Sequence, residues 1–118
     1  MGLASEARAS SGLGPLSCDA QMTLVARAHS QDMCDRGYFS HTALDGRSPF
    51  DRMREGGVRF GAAGENIAQG QRSASEVHAA WMGSSGHRMN ILGGGYRRIG
   101  VGLSECGGRM YWTQVFAD

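Results

Sequence analysis

The end of the chain carries the pattern that most restricts the fold. Ile99, Val101 and Leu103 alternate with small or polar residues, as in a strand with one buried face. A second alternating run covers residues 110–115, and turn-forming residues 105–108 lie between the two runs. Two such runs joined by a short turn that contains glycine predict a β-hairpin. The sheet of this protein is therefore expected to be mainly antiparallel.

A long amphipathic helix is predicted between Asp19, which is a suitable N-cap, and Gly37, which is a suitable stop. Apolar residues recur with helical spacing from Met22 to Met33. His29 lies on this apolar stripe. We interpret it as a hydrogen-bonded histidine of the core rather than as a ligand.

Shorter elements complete the pattern. The other predictions are a helix over residues 3–11, extended segments over residues 58–60 and 64–68, and a turn over residues 87–92. Ser48 followed by Pro49 begins a short helix, and the capping box of Ser73 and Glu76 begins another. This order has no βαβ alternation, so it predicts a single α+β domain over residues 1–118, with the sheet covered by helices.

Candidate functional groups are concentrated in residues 64–92. Glu65, Glu76 and His87 lie there, and His41 lies upstream in the segment GYFSH. If the helix that begins after Ser73 continued past the glycines near residue 85, Glu76 and His87 would share one of its faces. Two imidazoles and two carboxylates would then face one another across a groove.

Several segments resemble, in the same order, those of the CAP superfamily, which comprises cysteine-rich secretory proteins, antigen 5 and pathogenesis-related 1 proteins. They are GYFSH, GENIA, AWMGSSGHRMNIL, RRIGVGL and YWTQVFAD. The resemblance implies a compact bacterial SCP-like domain, built as a three-layer α-β-α sandwich with a His/Glu tetrad in its cleft. The matching tetrad positions are His41, Glu65, Glu76 and His87. The resemblance also implies secretion or attachment to the cell envelope, and an N-terminal helix that is truncated in this chain.

Zn²⁺ is a candidate cofactor, with His41 and His87 as its ligands. Two neutral imidazoles leave coordination positions for water or substrate, and a nearby carboxylate can then act as a general base. The HExxH spacing of metalloproteases is absent, and no G-x-S-x-G motif supports a serine hydrolase. A divalent cation is compatible with these residues but not required by them, and whether the protein is an enzyme stays open.

Each candidate also has a structural explanation. Glu76 can complete the capping box of its helix, and Glu65 can bind backbone amides of a loop. His87 can cap a turn, and His41 can bridge a helix and a loop. A rigid polar network that fixes the fold is therefore an alternative to a functional centre.

Three functions stay open. The favoured one is a binding module whose cleft takes a lipid, a glycan or a peptide. The second is a metal-assisted hydrolase that acts on peptide or nucleic acid. The third is a structural domain of the envelope or spore with a vestigial site. The sequence does not name a substrate.

Composition limits the partners. The net charge of +1 gives no electrostatic support for binding nucleic acid or an anionic membrane. No apolar run reaches the roughly 18 residues that a membrane-spanning helix needs. The sequence also begins without a charged and then apolar signal region. We expect a monomer that binds a small ligand or a peptide.

The three cysteines allow one internal disulfide. If residues 19–36 form one helix, Cys18 and Cys34 lie roughly 24 Å apart. A disulfide needs Cα atoms within about 7 Å. Any intramolecular bridge must therefore include Cys106, and a fully reduced state is equally compatible with the sequence.

Overall fold

Five helices and four strands make up the computed structural model, which describes residues 2–118. The elements are α1 Gly2–Ser10, β1 Ser17–Cys18, α2 Ala20–Arg36, α3 Pro49–Glu55, β2 Ala63–Gln69, α4 Ala74–Met82, α5 Ser85–Ile91, β3 Arg98–Cys106 and β4 Arg109–Ala117. The strand order in the sheet is β1-β3-β4-β2. Only the two-residue strand β1 runs parallel to its neighbour, so the predicted α+β class and the mainly antiparallel sheet are confirmed.

The C-terminal hairpin is the centre of the sheet. Gly107 and Gly108 form its turn and have positive φ angles of 58° and 80°, which suit a two-residue hairpin loop. Strand β4 is buried on both faces, because Val115 packs with α2 while Phe116 packs with the opposite helices. The predicted alternation is thus present in β4, but helices cover both faces of this strand.

Helix α2 covers one face of the sheet and has the predicted ends. The side chain of Asp19 accepts a hydrogen bond from the backbone N–H of Met22, and Gly37 closes the helix in the left-handed conformation. Two glycines of β3 let α2 lie directly on the strand. A Cβ atom added at Gly100 or Gly102 would come within 2.3 Å of the backbone of α2.

Helices α1, α4 and α5 cover the other face, which completes the three-layer sandwich. Trp81 of α4 is buried against the sheet, and its indole N–H donates to the carbonyl of Ile67 in β2. Arg8 of α1 is fully buried and ties the N-terminal helix to the segment after α5. Its guanidinium donates to the carbonyl oxygens of Gly14, Ile91, Gly93 and Tyr96.

The structure departs from the predicted elements in three places. Residues 58–60 lie outside the strands, although Val58 is buried in the core. Helix α4 ends at Met82, capped by Gly83, and a separate helix α5 replaces the predicted turn. The third departure is the short strand β1, which the sequence patterns did not indicate.

One disulfide joins α2 to the end of the hairpin. Cys34 and Cys106 are bonded, and their Cα atoms lie 5.6 Å apart. The bridge includes Cys106, as the helix geometry requires, so that prediction is confirmed. It fixes the first long helix to a strand 72 residues further along the chain.

Candidate functional site

A histidine and a glutamate from distant segments meet at one edge of the sheet. His41 lies in the loop between α2 and α3, and Glu65 lies on β2, which is an edge strand of the sheet. The Nδ1 atom of His41 is 2.8 Å from Oε1 of Glu65. A carboxylate only accepts, so Nδ1 carries the proton and donates. This leaves Nε2 of His41 as the free nitrogen of a half-exposed ring.

Arg52 holds the carboxylate of Glu65 from the other side. The Glu65 side chain is only 2% exposed, and Arg52 Nη2 donates to its Oε2 atom at 2.8 Å. Both carboxylate oxygens of Glu65 therefore have a hydrogen-bond partner. Arg52 also donates from Nη1 to the backbone carbonyl of His41 at 2.8 Å. One arginine thus positions both members of the pair.

His87 lies on α5, and a network of amide side chains fixes this helix against β2. Asn66 donates to the backbone carbonyl of His87 and to the side-chain oxygen of Gln114, both at 3.1 Å. Asn90 donates to the side-chain oxygen of Asn66 at 2.8 Å and to the backbone carbonyl of Glu65 at 3.1 Å. Strand β2, which carries Glu65, and helix α5, which carries His87, are thereby held in a fixed position relative to each other.

His87 stands close enough to His41 for the two imidazoles to interact electrostatically. Burial lowers the pKa of His87, and the charge on a protonated His41 lowers it further. The imidazole of His87 is therefore neutral at neutral pH. Of the four predicted site residues, the structure joins His41 to Glu65 by a hydrogen bond and places His87 within electrostatic range of His41.

Glu76 has its contacts elsewhere. It lies in the first turn of α4, where its backbone N–H donates to the Ser73 hydroxyl and its carboxylate accepts from the backbone N–H of Arg72. Within residues 2–118, no hydrogen bond or ion pair joins Glu76 to the two histidines or to Glu65. The break at Gly83 separates Glu76 from the helix that carries His87. A role for Glu76 in the cleft stays a prediction.

A groove of about 270 Å³ runs from His87 along the edge of β2. Its walls are mostly apolar and aromatic, and they include Phe39, Ile67, Ala80, Trp81 and Ser84. Phe39 is 43% exposed, although it is a large apolar side chain. His87 therefore lines an open groove with room for a small ligand.

Sequence patterns missed two residues that build the site. Arg52 stands in no motif, and nothing in the sequence marks a buried arginine in a helix of seven residues. Asn90 was detectable in principle. It follows His87 by three residues, so a helical interpretation of residues 85–91 would have placed both on adjacent positions of one face.

Comparison with known proteins gives the family. The model of the cysteine-rich secretory protein family, CAP, matches residues 2–116. The chain belongs to the CAP family. The protein YkwD of Bacillus subtilis is 49% identical over 109 residues, which are 92% of this chain and 42% of YkwD. The membrane protein YlbC of the same organism is 39% identical over 92% of this chain and 30% of its own length.

Solved structures agree with this assignment. An extracellular Bacillus anthracis protein containing an SCP domain superposes with a TM-score of 0.90 and 35% identity, over 97% of this CAP chain and 37% of that protein. An outer surface protein of Borrelia burgdorferi gives the same TM-score at 22% identity, over 98% of this chain and 86% of that one. The fold is therefore that of CAP domains. This chain spans less than half the length of the curated relatives it matches.

Two further features bear on partners. No helix within residues 2–118 has the length and apolar character needed to cross a membrane. Cys34, Asp35 and Cys106 lie close together, but the two sulfur atoms are joined in the disulfide. That cluster is therefore not a thiolate metal site.

Proposed function

We propose that this CAP domain is an extracytoplasmic binding module whose groove takes a small ligand or short peptide, with a divalent cation such as Zn²⁺ held by His41 and His87. The observation that carries the proposal is the hydrogen bond from His41 Nδ1 to the buried, arginine-bound carboxylate of Glu65. A histidine that binds a metal commonly donates its other ring N–H to a carboxylate, which fixes the tautomer and the ring orientation.

The donor set suits zinc better than a hard cation. Neutral imidazole is a preferred zinc ligand, whereas Mg²⁺ and Ca²⁺ require several oxygen ligands. Burial keeps His87 neutral, and Glu65 orients His41 instead of occupying a coordination position. Two protein ligands would leave positions on the cation for a polar group of the bound ligand.

Two observations support a location outside the cytoplasm. The Cys34–Cys106 disulfide is typical of proteins that fold in oxidising compartments. The Bacillus anthracis relative is an extracellular protein, and the Borrelia burgdorferi neighbour is an outer surface protein. We therefore infer that the domain is secreted or held at the cell envelope.

Calorimetric titration of Zn²⁺ tests the metal site. The parent, His41→Ala, His87→Ala and His78→Ala proteins are compared, since His78 lies on α4 and serves as a matched histidine control. We expect one site in the parent and in His78→Ala, and at least about tenfold weaker binding in the other two variants. Affinity should also fall as the pH drops below about 6.5, because protons and zinc compete for imidazole.

Equal binding by all four proteins, or no binding by the folded parent, would eliminate the metal site. Binding of peptides in the groove would then be examined without metal. The variant that tests peptide binding is Ala80→Trp, because the larger side chain fills the groove beside Trp81.

A metal-assisted hydrolase is the second candidate. It is favoured by the same hydrogen bond, because a carboxylate that fixes a ligand imidazole holds the cation with open positions for water or substrate. Turnover of a peptide or oligonucleotide library that requires Zn²⁺ and disappears in Glu65→Gln would support it. Zinc binding without any turnover would leave the binding module as the function.

A further inference from the structure

The buried histidine of helix α2 contacts the loop that carries His41. His29 is 1% exposed, and its Nε2 atom lies 2.8 Å from the backbone carbonyl oxygen of Ser40. A carbonyl only accepts, so Nε2 carries the proton and donates. This carbonyl belongs to the peptide bond that joins Ser40 to His41. A side chain of the core therefore holds the peptide group on which His41 is built.

Helix α2 contacts the same loop at a second point, Tyr38. The rings of His29 and Tyr38 meet edge to face, with 6.1 Å between their centroids. Asp32 accepts a hydrogen bond from the Tyr38 hydroxyl. Because His29 and Asp32 are three residues apart, they lie on one side of the helix. That side of α2 therefore holds the loop at Tyr38 and at Ser40.

The backbone of His41 is held on both sides. Arg52 of α3 donates to the carbonyl of His41 at 2.8 Å, while His29 of α2 donates to the carbonyl that precedes it. Both donors are buried, although the His41 side chain itself is half-exposed. With the backbone fixed, only the side-chain torsions of His41 remain to be set, and the hydrogen bond to Glu65 sets the ring. The ring is thus held in place before any ligand binds.

The neighbouring residue of α2 has a different role. Ser30 is also fully buried, but its hydroxyl bonds to the carbonyl of Gly102 in β3 and to the hydroxyl of Thr113 in β4. Ser30 therefore attaches the helix to the sheet, whereas His29 attaches the helix to the loop. This difference provides a matched control, because both residues are buried polar groups of one helix.

We propose that His29 is a positioning residue of the site. By holding the carbonyl of Ser40, it keeps the His41 ring where Nδ1 donates to Glu65 and Nε2 is available to a cation. His29 acts through the backbone of the loop. Its effect on zinc affinity rests on the proposed function, but its effect on the His41 ring is measurable without metal.

The first test is NMR of the histidine rings in the metal-free, folded protein at about pH 8, where imidazole is neutral. The parent should show His41 mainly as the Nδ1–H tautomer, since its hydrogen bond to Glu65 selects that form. His29→Leu cannot donate to Ser40 and should shift His41 towards a mixture of tautomers. His29→Gln retains a donor and should restore the parent signal, and Ser30→Ala should give the parent signal as well.

Calorimetric titration of Zn²⁺ into the same variants is the second test. We expect about three- to tenfold weaker binding by His29→Leu, the value of one net hydrogen bond, and parent-like binding by His29→Gln and Ser30→Ala. His29→Met is a second variant without a donor, because its flexible side chain adapts to the same space.

Two results would overturn the proposal. One is an unchanged His41 tautomer in His29→Leu and His29→Met. The other is an equal change in Ser30→Ala, which would mean that loosening α2 anywhere disturbs the site. If the parent binds no zinc, the proposed cation is wrong, and the His41 tautomer alone supports or overturns the role of His29.

Discussion

At the scale of single residues, two histidines with lowered pKa values are expected to make the fold sensitive to acid. Burial lowers the pKa of His29 and of His87 in the folded state. In the unfolded chain both protonate near the ordinary value of about 6.5. Below that pH the unfolded state therefore binds more protons than the folded state. Folding free energy is lost as the pH falls from about 6.5 towards the lower folded pKa values.

We predict that urea unfolding at about pH 5.5 shows a lower free energy of unfolding than at about pH 7.5. The difference should be smaller in His29→Gln than in the parent, because that variant removes one depressed pKa. A parent that is equally stable at both values, or more stable in acid, would contradict the assigned protonation of His29.

Glu76 offers a second test at this scale. Its carboxylate accepts from the Arg72 backbone N–H at the start of α4, and a glutamine oxygen can accept in the same way. We predict that Glu76→Gln changes the free energy of unfolding by less than about 0.5 kcal/mol and leaves zinc affinity unchanged. A zinc affinity reduced about tenfold or more, about 1.4 kcal/mol, would instead give Glu76 a role in the cleft.

Individual site residues differed in how well the sequence predicted them. His41 and Glu65 stand in segments that resemble family motifs, and the structure pairs them. Arg52 and Arg8 were missed, because a buried arginine is recognisable only when the carbonyls or carboxylates around it are known. Those partners come from segments up to 88 residues away in the chain.

At the scale of elements, the contact between α2 and β3 depends on glycine. A Cβ atom at Gly102 would lie 2.3 Å from the backbone nitrogen of Arg27, and a backbone atom cannot move away as a side chain can. We predict that Gly102→Ala destabilises the fold by about 1–3 kcal/mol or more. Gly95→Ala, with no atom within 4 Å of the added Cβ, is the matched control. Thermal unfolding measures both, and equal melting temperatures would contradict this packing.

Helices and strands that carry local sequence signals were predicted well, and those without such signals were not. Helix α2 begins after Asp19 and ends before Gly37, as predicted. The hairpin was predicted from the alternating apolar residues of its strands and from the glycines of its turn. Helix α5 was missed because its seven residues include a glycine and only a short apolar face. It is held by Asn90 and by the buried Ile91, which are tertiary contacts. Strand β1 likewise depends on its partner β3.

At the scale of the whole molecule, the disulfide links the first and last parts of the chain. Cys34 and Cys106 close a loop with a sequence separation of 72 residues. In the chain-entropy model, a loop of that size stabilises the folded state by about 4 kcal/mol. We predict that reduction, or the double change Cys34→Ala and Cys106→Ala, lowers the melting temperature. Cys18→Ser retains the bridge and is the control, and a reduced protein that melts like the oxidised one would contradict the prediction.

The architecture as a whole was predictable because hydrophobic patterns and family-like motifs agreed. The α+β class followed from element order, and the three layers followed from the resemblance to CAP proteins. The position of the pocket between α2 and α3, whose lining includes Leu24, His29 and Arg52, did not follow from either. It arises where a loop, a short helix and a long helix meet, and such a junction has no sequence signature.

The central claim is that the fold brings His41 and His87 together as neutral ligands for one divalent cation. Anomalous diffraction at the zinc absorption edge, from crystals soaked in Zn²⁺, tests it most directly. We predict one strong peak between Nε2 of His41 and the ring of His87, with Nδ1 of His41 still donating to Glu65. A peak only at His78 or at surface carboxylates, or no peak between the two imidazoles, would contradict the account.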